Sequence, residues 1–277
     1  MTASPLRVPF RAALLCAAFI ATAAHADETT ASGSPSGSPS GSSPASPSDS
    51  KWKIAVGPGL FVTPAYPGSS KTKIYPFPAL DISYDDRFFS QGPDVLGVNV
   101  LRSPAYHLGA ALSFDFQSRS DSDDARLRGL GDVHSSPKLK LFGDYTWWAF
   151  TGSVAMYQDI AGHGQGKTIV SDLYASLPLD SWLFSVGPGF TWADAEYTRT
   201  FFGVSPQQSA ASKLPTFDTS SGIRDVHLNI YVSHDFSKHW TSSVSIVAGR
   251  LQHYAADSPI TSRRFELNSL AAVYYRF

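Results

Sequence analysis

The sequence predicts an all-β protein: a transmembrane, antiparallel, up-and-down β-barrel of about 12 strands, exported behind a cleaved leader. Three observations predict it. From Lys51 onward, apolar residues alternate with polar or small ones in segment after segment, the side-chain period of a strand with two unlike faces. No apolar run there approaches the ~20 residues that a membrane helix needs. The chain ends on Phe277, the last residue of an alternating segment whose one face carries Leu267, Ser269, Ala271, Val273, Tyr275 and Phe277.

Composition agrees with strands and turns. Charged residues are 16%, below the roughly 25% of an average soluble domain. Aromatics reach 13%, and 21 Gly with 19 Pro make 40 turn-forming residues. The formal charge of −1 becomes −3 when Arg7 and Arg11 leave with the leader, with no basic patch to attract phosphate, so nucleic acid is excluded as a partner. The single cysteine, Cys16, lies in the leader, so the mature chain has no thiol to mispair in an oxidising compartment.

Residues 1–26 read as the export signal. Arg7 and Arg11 give a basic start, Ala12 to Ala24 an apolar stretch too short to span a bilayer, and Ala24-His25-Ala26 an A-x-A cleavage site, with Ala24 and Ala26 as the recognised small residues. Cys16 follows Leu14-Leu15 in mid-stretch rather than small residues, which argues against lipidation. Residues 27–50 are nearly all Ser, Pro, Gly, Ala and Thr. Such a composition buries too little apolar surface to order itself and reads as a linker.

Residues 51–277 hold the barrel. Its segments run 52–63, 73–83, 86–91, 94–101, 105–117, 137–146, 148–159, 168–178, 181–200, 223–236, 239–252 and 265–277. The third and fourth are short and joined by Gly92-Pro93. Splitting them keeps the even count that both termini on one side require. Connections near 84–85, 102–104, 147, 179–180 and 237–238 are tight, whereas those near 64–72, 118–136, 160–167, 201–222 and 253–264 are long. That asymmetry puts tight turns in the periplasm and long loops outside. Trp52, Trp148, Trp182, Trp192 and Trp240 lie near segment ends, where interfacial girdles belong. Tyr275 and Phe277 complete the terminal strand, which must pair with the first to leave no open edge in lipid, so they serve as the assembly signal.

The face turned inward carries Lys53, Asp81, Asp115, Lys140, Asp144, Asp159, Asp172, Asp235 and Arg276, a mixed set that suits a network filling the lumen or the lining of a wet pore. Val56-Gly-Pro-Gly59 and Val186-Gly-Pro-Gly189 have an internal Pro and no following helix, so they mark bends or bulges rather than phosphate cradles. Asp159 with His163, and His253 with Asp257, are the pairs that could act as general bases, but neighbouring serines such as Ser258 lack a nucleophile context, and no catalytic residues are assigned. Among His134, His163, His227, His234, His239 and His253 none shows metal-ligand spacing on a shared face. His234 and His239 straddle a turn and, five apart, would point to opposite sides in a strand. No metal and no cofactor are expected.

The loops and their flanks also carry a resemblance. Leu127-Arg-Gly-Leu-Gly-Asp132, Asp159-Ile-Ala-Gly-His-Gly164, Tyr197-Thr-Arg-Thr-Phe-Phe-Gly-Val-Ser205 running into Gln208-Ser-Ala-Ala-Ser212, Ala255-Ala-Asp-Ser-Pro-Ile-Thr261 and the closing Tyr274-Tyr-Arg-Phe277 together resemble the MipA/OmpV family of outer-membrane proteins. Pro64-Ala-Tyr-Pro-Gly-Ser69 departs from the family, which tends to carry an acidic residue where Pro67 stands, and the Ser/Pro/Gly linker is not a family feature. The resemblance implies a barrel in the outer membrane of a Gram-negative cell. It also implies a non-enzymatic scaffold that links a lytic murein transglycosylase to a bifunctional penicillin-binding protein in peptidoglycan assembly. Other relatives are porin-like, surface antigens or adhesins, so a narrow diffusion channel for small solutes is the alternative.

Overall fold

The computed structural model describes residues 51–92 and 95–277. The leader with Ala24 and Ala26, and the 27–50 linker, lie outside the described residues. Twelve antiparallel strands close into one barrel in sequence order: β1 (Trp52–Pro64), β2 (Thr72–Tyr84), β3 (Phe88–Gln91), β4 (Val95–Arg102), β5 (Tyr106–Asp115), β6 (Ser136–Trp147), β7 (Phe150–Asp159), β8 (Lys167–Leu179), β9 (Trp182–Ala193), β10 (Gly222–Asp235), β11 (Trp240–Leu251) and β12 (Phe265–Arg276). β12 closes on β1 from Ala55↔Arg276 to Val62↔Ser269, so the sheet has no free edge at its seam.

Alternation does in the fold what it promised. Leu108, Leu112, Leu141, Leu173, Val186, Leu228, Val244 and Leu267 stand exposed on the outer wall, while Ala111, Lys140, Asp172, Asn229, Ser245 and Ala272 on the intervening parity are buried inside. An apolar belt on the outside of a closed barrel, whose strands pair with one another around the wall, is the sheet arrangement that hydrocarbon tolerates. At the end with the tight turns the outward rings of Trp52, Tyr84, Tyr145, Trp147, Trp148, Trp182, Trp240, Tyr275 and Phe277 form an aromatic rim; Trp240 and Tyr275 lie 5.2 Å apart, Tyr275 and Phe277 4.9 Å.

Two expectations are corrected. The segment 181–200 is not one strand: β9 stops at Ala193, and helix α1 (Ala195–Phe202) follows. Asp194 is the reason, since its carboxylate accepts from the Tyr197 amide at 2.8 Å and caps the helix, with Glu196 favourable in the first turn. The segment 148–159 loses its first two residues, because Trp148 takes a left-handed backbone (φ 54°) in the turn before β7.

β3 is only four residues long, and β2 explains why. Gly92 N–H donates to Leu80 C=O at 2.7 Å, so even-numbered residues of β2 turn their backbone groups toward β3. Pro76 and Pro78 have that parity and carry no N–H, so the ladder with β3 runs only over Asp81–Tyr84.

The two Gly-Pro-Gly motifs are bends without bulges. Pairing of β1 with β12 lapses between Val56↔Tyr275 and Gly59↔Ala272, and that of β8 with β9 between Asp172↔Gly189 and Ala175↔Val186, yet the register is unchanged across each gap. A Cβ on Gly57 would overlap the Val273 carbonyl and one on Gly187 the Leu173 carbonyl, so only glycine lets the wall fold in this closely.

Candidate functional site

The interior is filled. Along the lumen Lys140, Asp172, Tyr174, Asn229, Tyr231, Leu270 and Tyr274 are all buried, three tyrosines reaching inward from β8, β10 and β12. A wide aqueous channel would leave these side chains wet. The inward charges meet partners: Asp115 with Lys138 (2.5 Å), Asp144 with His107 (3.0 Å), Asp235 with Arg276 (2.8 Å) and Lys53 with Asp86 (3.0 Å).

The densest cluster lies beneath the long loops. His227 on β10 faces Asp225 through Nδ1 (2.7 Å) and Asp172 through Nε2 (2.9 Å). Asn229 donates to the same Asp172 oxygen at 2.9 Å, and Arg224 Nε donates to Asp225 at 2.6 Å. Asp172 belongs to β8 and His227 to β10, and the strand between them offers Gly189 in register with both. A Cβ there would overlap Asp172 Oδ1, so Gly189 opens the space through which the two strands bond. The two carboxylates sit on opposite nitrogens of one imidazole and bridge it instead of converging on a point. Among the described residues no group of three or more His, Cys, Asp or Glu could hold a metal ion.

Over this cluster the long connections fold into a cap with its own cores. Helix α1, helix α2 (Pro206–Ser212) and helix α3 (His253–Asp257) lie in the β9–β10 and β11–β12 connections, and a 3-10 turn (Ala125–Leu127) in the β5–β6 connection. Val133, Tyr197, Phe201, Phe202, Leu251 and Ala255 pack together, and Ala65, Tyr66, Leu127, Leu130, Val204 and Ile260 form a second cluster. The β7–β8 connection joins through Gln165 Nε2, which donates to His134 C=O at 2.7 Å, and through Thr200 Oγ1 donating to Gly164 C=O at 2.6 Å. Each fully buried Phe contributes roughly 1.5–3 kcal/mol by leaving water.

Arg119 stands inside this cap. Its Nη1 donates to the Phe201 carbonyl at 3.1 Å, and its backbone exchanges hydrogen bonds with Val133. Burial lowers its pKa to about 10, against the pull of Tyr66, Asp121 and Asp132. Tyr197 is the cap residue that reaches the lumen cluster: its hydroxyl donates to Gln117 Oε1 (2.8 Å) and accepts from Arg224 Nη1 (2.7 Å). Lys138 and Arg224 lie 5.7 and 5.6 Å from its ring centroid. Burial raises its pKa well above the ordinary phenol value, so the hydroxyl stays a neutral donor.

Of the residues singled out for base chemistry, Asp159, His163, Asp257 and the neighbouring Ser258 bond within the loops, and His253 opens α3 with a left-handed backbone (φ 44°). Asp159 accepts from Ser136 Oγ (2.5 Å), Ala161 N (3.0 Å) and Gln165 N (2.9 Å), while His163 Nδ1 contacts Ser135 C=O at 3.0 Å. Asp257 pairs with Arg264 at 2.9 Å, and Ser258 Oγ donates to Phe202 C=O at 2.6 Å. His234 stacks on Trp182 and His239 on Tyr275 at the aromatic rim. The Asp172–His227–Asp225 cluster was missed as a unit by sequence reading, although Asp225, His227 and Asn229 share one parity on one strand.

A protein-family model described as MltA-interacting protein MipA matches residues 56–277. The chain belongs to the MipA family. No curated protein matches it. Among solved structures, this MipA-family barrel is similar to a variant of OccD1 (OprD) at 13% identity and TM-score 0.35, over 81% of this chain and 65% of that one. Pseudomonas aeruginosa OprD gives 12%, 0.34, 81% and 66%, and OmpT, an outer membrane protein of Vibrio cholerae, 8%, 0.32, 83% and 99%. The MipA-family chain thus spans just under two thirds of the length of the first two. Its own architecture, a closed barrel with an apolar belt and an aromatic rim, is that of an outer-membrane β-barrel protein.

Proposed function

We propose that this protein is a closed barrel in the outer membrane of a Gram-negative cell. Its work is to dock a lytic murein transglycosylase and a penicillin-binding protein on the periplasmic side during peptidoglycan assembly. The observation that carries the reading is the filled lumen under a folded cap: a barrel so packed is suited to anchoring partners rather than to passing solutes. The family description, which names interaction with MltA, supports the choice of partner. The tight turns or the 27–50 segment would then supply the periplasmic contacts, and the reaction chemistry would belong to the partners.

A second reading, a narrow channel for small solutes, draws on the polar lining near the tight turns, where Lys53, Asp86, Asp235 and Arg276 pair in partly exposed positions. The test between them is binding. Folded mature protein, immobilised in detergent, is expected to retain a purified lytic transglycosylase and a bifunctional penicillin-binding protein, each without displacing the other. Retention of neither by a barrel that is heat-modifiable on a gel contradicts docking.

A further inference from the structure

We propose that Tyr197 is a latch that fastens a lid, residues 194–221, to the charged cluster in the barrel wall. The inference rests on the closed barrel of the reading above. The lid carries α1 and α2 and is rooted at its two ends in β9 and β10. Between those roots one phenol hydroxyl joins three separate parts of the molecule: α1, which bears it; Gln117 in the β5–β6 connection; and Arg224 at the head of β10.

Arg224 transmits the contact. Its Nη1 holds the lid, and its Nε holds Asp225, which faces His227, which in turn faces Asp172 two strands away. The chain of contacts therefore runs from α1 through β10 to β8, crossing β9 over Gly189. Losing one member of such a buried network leaves its neighbours desolvated and unpaired, so its contacts support one another. Thr191 Oγ1 adds a contact to Asp225 at 3.4 Å from the intervening strand. Below the latch lies the buried Asp172–His227–Asn229 group, which lid opening would expose to water from the loop end.

The other ties of the lid are of a different kind. Ser209 Oγ to Leu214 C=O (2.6 Å) lies wholly within it; Thr200 Oγ1 to Gly164 C=O (2.6 Å), Arg119 Nη1 to Phe201 C=O (3.1 Å), Ser258 Oγ to Phe202 C=O (2.6 Å) and Gln208 Nε2 to Leu130 C=O (2.6 Å) join it to neighbouring loops, and Phe201 and Phe202 pack in the cap core. These shape the lid without reaching the lumen charges.

Limited proteolysis of the refolded mature protein in detergent, with cleavage sites mapped by mass spectrometry, tests the latch. Tyr197→Phe keeps the ring and removes the hydroxyl, and is expected to raise cleavage within 194–221 on the order of tenfold while the barrel stays heat-modifiable. Arg224→Gln should match or exceed it, and the double variant should add little to the larger single effect. Arg264→Ala, which removes an exposed pair outside the lid, serves as the control and should cleave within 194–221 at the wild-type rate. Wild-type cleavage rates in both latch variants, or an equal rise in Arg264→Ala, would overturn the latch. Bilayer recordings of the unsubstituted protein separate the two ideas: silence with unchanged variants defeats the latch alone, whereas steady openings in the unsubstituted protein defeat it together with the closed barrel.

Discussion

The wall and the cap of this protein are built on different rules. In the wall each strand pairs with its sequence neighbours, and one parity of residues meets lipid while the other meets the lumen. In the cap, residues as far apart as Ala65, Leu127, Val204 and Ile260 pack on one another, and Arg119 bonds to Phe201. The wall is a local code repeated; the cap is a small globular core assembled from five connections. A change in the wall should therefore be felt by the whole barrel, whereas a change in the cap should be felt by the cap.

The sharpest break of that comparison is Gly187→Val. The new side chain would overlap the Leu173 carbonyl, which is backbone and cannot rotate away, so the cost should be about 4 kcal/mol or more and the heat-modifiable species should be lost. Phe201→Ala should cost about 3–5 kcal/mol, but within the cap: protease sensitivity of the loops rises while the barrel band persists on a gel. If that variant abolished the barrel, wall and cap would be one cooperative unit. Gly189→Ala lies between the two regimes, forcing Asp172 away from His227. Its cost of about 2–3 kcal/mol should appear as a lower denaturation midpoint by tryptophan fluorescence. Arg264→Ala, which removes an exposed pair with Asp257, should shift the midpoint by about 0.5 kcal/mol or less.

The same division decides what was legible in the sequence. Strand number, order and facing follow from a period of two, and the terminal face from Leu267 to Phe277 does meet lipid. Pro76 and Pro78 could have foretold the short β3, since their parity faces a strand that needs donors. The end of β9 is not evident from the period because Ala193, Ala195 and Tyr197 go on alternating with Asp194, Glu196 and Thr198 past the strand's end. The cap residue Asp194 was the available signal. The cap cores were not legible at all: nothing in the spacing of Tyr66, Leu127 and Ile260 says that they meet, because their contact depends on the closed barrel bringing the connections to one end. The lumen cluster falls between. Asp225, His227 and Asn229 declare a shared face, whereas Asp172 joins them only through a register that sequence does not fix.

The lumen is filled and its loop end capped. Single-channel recording of the refolded, heat-modifiable mature protein in a planar bilayer tests it most directly. An inserted barrel with no steady conductance is expected; discrete, long-lived openings in the unsubstituted protein would contradict a filled lumen and restore the channel reading.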